Sequence, residues 1–217
     1  MEITHEFLVG LGPDVAIART YNSLGDLTDD NGDNWRQSTD RRVYGEPLSY
    51  GAVGSTVKRV SGDGSEITYT WNGGKSAYVA TDGAGAYDQL EKIGADWIWT
   101  DGDSRITERY VEYGLHPIDG SKNYRIVEQA DTDGNKLTFA YDATGRLDKV
   151  TSQDGSYVQY GWHTTVPDRL LTILTGFTDL IAATVRTQTR TTYGYNGNGR
   201  LGTVTDASVR LARRRSL

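Results

Sequence analysis

Polar and apolar residues alternate along short segments of the chain, which is the period of a β-strand with one buried face. The clearest alternation covers residues 15–21, 66–71 and 106–113. Gly, Asn and Asp cluster at the ends of these segments, and Asp-Gly or Asn-Gly between two alternating segments is a strong hairpin signal. The pattern therefore predicts an all-β fold, an antiparallel meander whose strands pair with their neighbours in sequence.

Asp-Gly turn signals recur at a nearly constant spacing through the middle of the chain. After residue 120 the spacing between these signals becomes shorter. They fall at residues 63–64, 82–83, 101–102 and 119–120, and then at 133–134, 142–145 and 154–155. The closer spacing is the length of one strand plus one tight turn. We predict a single β module over residues 1–217. Its parts are N-terminal strands at 10–120, repeats at 121–207 and a basic tail at 208–217.

Two seven-residue segments repeat almost letter for letter. They are Tyr141-Asp142-Ala143-Thr144-Gly145-Arg146-Leu147 and Tyr195-Asn196-Gly197-Asn198-Gly199-Arg200-Leu201. In such a segment the Asp or Asn side chain can hydrogen-bond its own backbone, and the Gly supplies a positive φ. Each copy therefore predicts a strand end, a tight turn and a new strand. Asp154 and Gly155 predict a further turn of this kind.

The segment at residues 164–190 fits two patterns. Its apolar residues could line one face of a helix; they are Leu170, Ile173, Leu174, Phe177, Ile181 and Val185. Threonine is dense here, however, and β-branched residues favour strands over helices. We therefore predict strands throughout this segment.

The composition fits a sheet protein of one domain. The chain has 217 residues with 36% hydrophobic residues, 26 Gly and 14 Tyr, so tyrosine replaces much of the usual apolar packing. A ring with a hydroxyl suits a half-buried sheet face. A net charge of −6 argues against a nucleic-acid partner. Because the chain contains no cysteine, it has no disulfide, no thiolate metal site and no Cys nucleophile.

The sequence shows no targeting signal. The first residues lack a basic segment followed by an apolar one, so we predict no signal peptide in this chain. No apolar run approaches the length of a membrane span, so we predict no membrane span either.

Metal and cofactor motifs give no candidate site. The three histidines lie far apart in sequence, at His5, His116 and His163. The acidic stretch at residues 29–34 lacks the Gly that an EF-hand loop needs at its sixth position. Residues 197–202 spell Gly-x-Gly-x-x-Gly, but they lie inside the repeat and precede a strand-like segment rather than a helix. We predict no catalytic, cofactor-binding or metal-binding residues.

Two surface hypotheses remain open from the residues. Glu108 and Glu112 flank Tyr110 on one strand face, and a glycosidase needs two carboxylates across a sugar, but acids on one strand face are more often simply solvated. Trp97 and Trp99 share a strand face, and together with Tyr110 they could form a platform on which a sugar stacks. The alternative is that these rings pack in the core, and solvent exposure of the rings separates the two.

The repeated segments, the Asp154-Gly155-Ser156 turn and the downstream Tyr160 resemble the Rhs/YD-repeat family. Residues 19–23, 81–88 and 97–102 also look like parts of that family, so the resemblance covers most of residues 10–207. The motif residues that carry it are Tyr141, Asp142, Gly145, Arg146, Leu147, Asp154, Gly155, Tyr195, Asn196, Gly199, Arg200 and Leu201.

The resemblance implies a curved β-sheet strip that forms part of a hollow shell, as in bacterial polymorphic toxins, insecticidal Tc toxin components and teneurins. Such a shell sequesters a toxin domain or presents a surface for cell contact, and it does not turn over a substrate. The implied partners are further repeats of a longer shell or a sequestered toxin domain, and the implied location is secreted or cell-surface. The family's aspartyl self-cleavage site has no counterpart, since no Asp-Pro pair occurs.

The sequence thus predicts a non-enzymatic structural β-shell segment without cofactors, and the alternative is a carbohydrate-binding surface module. A chain of this length is too short to close a shell. We therefore expect a fragment of a repeat region, with open sheet edges at Met1 and near Thr205.

Overall fold

The computed structural model describes residues 2–8, 13, 15–21, 35–80, 85–116, 119–165, 169–179 and 184–206. Within these ranges the chain forms seventeen β-strands, so the predicted all-β fold is confirmed. The acidic stretch at 29–34 and the basic tail at 208–217 lie outside the described residues. No helix in the described part of the chain has the length and apolar character needed to cross a membrane.

Eight consecutive strands close into an antiparallel barrel. They are β4 (Arg42–Tyr44), β5 (Thr56–Val60), β6 (Glu66–Asn72), β7 (Ala77–Val79), β8 (Gln89–Ile93), β9 (Asp96–Thr100), β10 (Thr107–Leu115) and β11 (Lys122–Ala130). Each pairs with the next along the chain, and β11 returns to β4, where Tyr124 lies opposite Val43. The prediction that strands pair only with sequence neighbours is wrong here. Closure removes the edges that an open meander would leave unpaired.

Aromatic side chains from the barrel strands form the core. Trp97 is fully buried and makes edge contacts with Tyr78 and Tyr124, at ring-centre distances of 5.6 and 6.4 Å. Tyr110 is also fully buried, and Trp99 is 7% exposed. The sugar-stacking platform predicted at Trp97, Trp99 and Tyr110 is therefore wrong, because barrel closure turns their strand face into the interior and a packed ring cannot stack on a sugar.

The sheet continues from the barrel as a strip of six strands. They are β12 (Lys136–Tyr141), β13 (Leu147–Ser152), β14 (Tyr157–Trp162), β15 (Leu170–Asp179), β16 (Thr184–Tyr195) and β17 (Leu201–Asp206). The first half of β11 pairs with β4 and its last residues pair with β12, so the strip leaves the barrel at β11. The strands predicted in 164–190 are confirmed where the chain is described. Among the described strands β17 pairs only with β16, which leaves the edge expected near Thr205.

A separate sheet lies at the N-terminal end and has three antiparallel strands. They are β1 (Glu2–Leu8), β2 (Val15–Tyr21) and β3 (Trp35–Gln37). The buried Arg19 of β2 places its guanidinium 5.0 Å from the ring centre of Tyr193 on β16, so this sheet packs against the strip. Ser38, just after β3, donates its backbone N–H to the Ala18 carbonyl (2.9 Å), which fixes the connection towards the barrel.

We expect Gly62→Ala to destabilise the fold by about 1–3 kcal/mol, because the added methyl group has no room. A Cβ on Gly62 would lie 2.2 Å from the backbone oxygen of Ser38, where the β5–β6 turn meets the β3–β4 connection. Gly73→Ala is the matched control, since its Cβ would meet nothing closer than 3.7 Å. Urea denaturation of both variants measures the difference. Equal stabilities would contradict the close approach of these two segments.

Candidate functional site

The first copy of the heptapeptide forms a hairpin turn between β12 and β13. Gly145 N donates to the Asp142 carbonyl (3.0 Å), and Asp142 N donates to the Arg146 carbonyl (2.8 Å). Gly145 has a φ of 89°, as the sequence predicts for the glycine of this turn. The Asp142 carboxylate accepts from the backbone N–H groups of Thr144 (2.9 Å) and Arg146 (3.0 Å). Its second oxygen accepts from the Arg146 guanidinium, so the motif's Asp and Arg together clamp the turn.

The second copy builds the same turn between β16 and β17. Gly199 N donates to the Asn196 carbonyl, and Asn196 N donates to the Arg200 carbonyl, both at 2.9 Å. The Asn196 side-chain oxygen accepts from the backbone of Asn198 and Arg200, as the Asp142 carboxylate does in the first copy. As an amide, Asn196 cannot form the ion pair that Asp142 makes. The same two backbone bonds close the turns at residues 61–65, 131–135 and 152–156, the last of which is the turn predicted at Asp154 and Gly155.

The hydroxyl of each motif tyrosine also donates a hydrogen bond to the preceding strand of the sheet. The Tyr141 hydroxyl donates to the Ile126 carbonyl of β11 at 2.6 Å. The Tyr195 hydroxyl donates to the Leu170 carbonyl of β15 at 2.8 Å. The two copies are therefore alike in tertiary contacts as well as in turn geometry.

Replacing Tyr141 or Tyr195 by Phe should lower the free energy of unfolding by about 0.5–1.5 kcal/mol in each case, because each change removes one hydrogen bond to a backbone carbonyl. Tyr157→Phe is the control, since its hydroxyl makes no hydrogen bond within the described residues. Chemical denaturation measures all three variants. A cost for only one of the two motif tyrosines would show that the copies are not structurally equivalent.

An arginine that the sequence analysis did not single out accompanies each copy. Arg125 precedes the carbonyl that binds Tyr141, and its guanidinium carbon lies 3.9 Å from the centre of that ring. Arg169 occupies the same place beside Tyr195, at 5.7 Å. The two arginines stand at different sequence distances from their tyrosines, because the intervening loops differ in length. No fixed spacing could therefore have revealed them.

A groove with a volume of about 380 Å³ lies where the barrel, the N-terminal sheet and the strip meet. We call it the junction groove. Its lining includes Gln37 of β3, Asn123 and Arg125 of β11, Tyr113 of β10, and Tyr141 and Arg146 of the first heptapeptide. The motif thus contributes to a concave surface as well as to the turn.

Arg125 is held between two aromatic rings in this groove. Its guanidinium carbon lies 4.5 Å from the ring centre of Tyr113 and 3.9 Å from that of Tyr141. One terminal nitrogen donates to the Gly145 carbonyl at 3.3 Å. Its Nε is buried without a hydrogen-bond partner, and no carboxylate of the described residues pairs with it. Arg125 therefore presents an unneutralised charge and a free donor.

The other arginines of the groove are bound to carboxylates. Arg42 pairs with Asp40 at 2.7 Å, and Arg146 pairs with Asp142 at 2.8 Å. Arg41 pairs with Glu108. Among the four arginines of the described lining, only Arg125 lacks a carboxylate partner within the described residues.

A buried ionic cluster is centred on Glu108 of β10. The Glu108 carboxylate is 1% exposed, pairs with Arg59 at 2.7 Å and with Arg41, and accepts from the Tyr110 hydroxyl. Burial by itself would raise the pKa of Glu108, but the two guanidinium charges and the hydrogen bonds outweigh it and lower that pKa to about 2. A carboxyl group that stays ionised at neutral pH cannot act as a general acid. This cluster is a structural ion network.

Glu112 and the Gly-rich segment at 197–202 are the other candidates that the sequence offered for a reactive site. Glu112 is exposed and pairs with Lys122 at 2.8 Å, whereas Glu108 is buried. The two carboxylates therefore do not face one common site, as a glycosidase mechanism would require. Residues 197–202 form a turn and the start of β17, without the helix of a dinucleotide loop. Among the described residues no group of three or more His, Asp or Glu side chains is placed to hold a metal ion.

No protein-family model matches the chain, and no curated protein matches it. Among solved structures, the chain is similar to the N-terminal domain of the effector protein SpvB from Salmonella typhimurium strain LT2. The two are 13% identical with a TM-score of 0.61, and the match covers 94% of this chain and 97% of that one. The likeness establishes the fold alone. The resemblance to the Rhs/YD-repeat family remains a prediction.

Proposed function

We propose that the chain is a non-enzymatic scaffold, a segment of the β-wall of an Rhs/YD-repeat protein that encloses or presents a toxin or cell-contact domain. The observation that supports this most is the repeated unit of turn, tyrosine and arginine. Two copies use the same backbone bonds and the same tyrosine-to-carbonyl contact on successive parts of one strip. Repeated units that contact only their neighbours can extend a wall strand by strand.

The edge of the strip supports the same role. In the described part of the chain β17 pairs on one side only, so its other side offers backbone donors and acceptors to a further strand. A wall segment would use such an edge to join the next repeat. The similar fold occurs as the N-terminal domain of an effector protein, which supports a place beside another domain of the same polypeptide.

Limited proteolysis of the complete gene product that carries this chain tests the proposal. In the wild type, we expect β17 to resist cleavage because its free edge pairs with a further strand of the wall. Gly199→Val should make that strand susceptible, since Gly199 has a φ of 73° that a β-branched residue does not tolerate. Gly197→Val is the matched control in the same turn, because Gly197 has no positive φ and its Cβ would meet nothing within 4 Å. Rapid cleavage within β17 in the wild type would overturn the proposal.

A further inference from the structure

The position of Arg125 determines which ligand the junction groove can hold. Tyr113 and Tyr141 both lie against the guanidinium, whose carbon is 4.5 and 3.9 Å from their ring centres. One terminal nitrogen donates to the Gly145 carbonyl, and the edge of the guanidinium that carries Nε has no hydrogen-bond partner at that atom. A planar oxyanion, a carboxylate above all, fits such an edge because its two oxygens match the fork of an arginine.

The groove also contains two unused acceptors. The side-chain oxygens of Gln37 and Asn123 are buried and have no hydrogen-bond partner, and the two residues are only 4% and 6% exposed. Buried polar atoms are nearly always hydrogen-bonded in folded proteins, so these two oxygens are acceptors that a ligand in the groove can use. Asn123 and Arg125 stand two residues apart on β11 and therefore on the same strand face. A ligand that uses these acceptors thus carries hydroxyl or N–H donors close to its carboxylate.

The lining distinguishes a sugar from a peptide. Its described side chains are mainly polar or aromatic, with Leu147 as the single aliphatic hydrocarbon side chain. A peptide-binding groove usually offers apolar pockets for side chains, whereas sugars are held by planar polar groups and aromatic rings. A volume of about 380 Å³ has room for one or two monosaccharide units.

We propose that the junction groove binds a uronic-acid unit of an acidic polysaccharide. The sugar carboxylate accepts in-plane hydrogen bonds from Arg125. Sugar hydroxyls donate to the side-chain oxygens of Gln37 and Asn123, and Tyr113, which is exposed at the rim, contacts the ring. This site differs in place and in residues from a platform on Trp97, Trp99 and Tyr110, and it is independent of whether the strip joins further repeats.

Titration of the purified chain with methyl glucuronoside, followed by proton–nitrogen NMR of the Arg125 side chain, tests the proposal. We expect saturable binding that shifts the Arg125 Nε–H signal. Methyl glucoside supplies the same ring without the carboxylate, acetate supplies the carboxylate alone, and an acetylated triglutamate amide supplies an acidic peptide. Each should bind at least about tenfold more weakly, because none offers both the carboxylate and the hydroxyl donors. Equal binding of the neutral sugar, or tighter binding of the peptide, would overturn the proposal.

Two variants separate the site from the fold. Arg125→Lys keeps the charge but loses the in-plane fork, so we expect about tenfold weaker glucuronoside binding. Because that change also disturbs the ring stack, Thr144→Glu provides a second test with an exposed residue of the lining. The added carboxylate should repel the ligand by a similar factor. Asn198→Glu, at the equivalent position of the second turn and outside the lining, should bind like the wild type. Unchanged binding by both groove variants would contradict the site.

Discussion

Replacing Glu108 by alanine should lower the free energy of unfolding by about 3–5 kcal/mol, the typical cost of removing one partner from a buried ion pair. Arg59 is only 5% exposed, and its guanidinium bonds to Glu108 and to the Tyr110 hydroxyl. Without the carboxylate, that charge stays inside the barrel with no counterion. The loss is large because the arginine cannot return to water without opening the strand pairs around it.

Glu112→Ala is the matched control for this experiment. Glu112 lies on the same strand, but it is exposed and pairs with Lys122 on the surface. Exposed pairs contribute about 0–1 kcal/mol, so the control should change stability little. Urea denaturation at neutral pH measures both variants. Similar small effects would show that the Arg41–Glu108–Arg59 cluster is not buried in solution.

The same cluster predicts a dependence on pH. The pKa of Glu108 falls from its ordinary value of 4.5 to about 2 in the folded chain. Its contribution to stability is therefore fully present above about pH 4.5 and is lost as the pH falls through about 2. The stability difference between the wild type and Glu108→Gln should shrink over that interval. A difference that stays constant from pH 5 to pH 2 would contradict an ionised, paired Glu108.

Gly145→Val should destabilise the chain by about 1–3 kcal/mol, because a β-branched residue does not tolerate a strongly positive φ. The φ of Gly145 is 89°, and an added Cβ would lie 3.0 Å from the Tyr113 ring. The variant therefore strains the turn and pushes one wall of the junction groove. Arg146→Lys, in the same turn, keeps the charge beside Asp142 and should cost less than about 1 kcal/mol.

Thermal unfolding of the two variants gives the comparison, with Ala143→Val as a control for β-branching elsewhere in the turn. Ala143 has no positive φ and is exposed, so its replacement should leave the melting temperature close to that of the wild type. Equal shifts in melting temperature for Gly145→Val and Arg146→Lys would contradict the assignment of Gly145 to a turn position with positive φ.

Local features of the fold could be predicted from the sequence because their causes are local. The turn between β12 and β13 depends on Asp142 and Gly145, which stand three residues apart and act on the backbone beside them. Alternation likewise identified the strands, including β15 and β16, where β-branched residues outweighed a helical pattern. Such local signals identified several of the strands.

Barrel closure could not be predicted in this way. It depends on β4 (Arg42–Tyr44), a strand of three residues, pairing with β11 far along the chain. No local pattern marks a partner at that distance. The sugar-stacking prediction for Trp97 and Trp99 was wrong for the same reason. Alternation shows that two residues share a strand face, but barrel closure decides whether that face lies inside.

The tyrosine-rich composition has its explanation in the closed barrel. The Tyr69 hydroxyl accepts from Trp99 Nε1 at 3.0 Å and donates to the Asp88 carboxylate at 3.3 Å. Such bonds allow a phenol to be fully buried without an unmet polar group. The composition predicted a sheet face with one edge exposed to water, whereas Tyr69 lies inside the core with its hydroxyl hydrogen-bonded.

The junction groove was equally hidden from the sequence. Its lining comes from three separate regions, represented by Gln37, Arg125 and Tyr141, which closure and branching at β11 bring together. Only the i, i+2 spacing of Asn123 and Arg125 was visible beforehand, and that spacing occurs on every strand.

The pairing of β4 with β11 tests the account most directly, since the barrel, the branch point and the junction groove all depend on it. Solution NMR of the chain should show nuclear Overhauser effects between backbone protons of Val43 and Tyr124, which lie opposite each other. The spectra should also show nuclear Overhauser effects between Glu128 and Thr138, where the strip begins. Effects restricted to strands adjacent in sequence, with none between Val43 and Tyr124, would indicate an open meander and contradict the closed barrel.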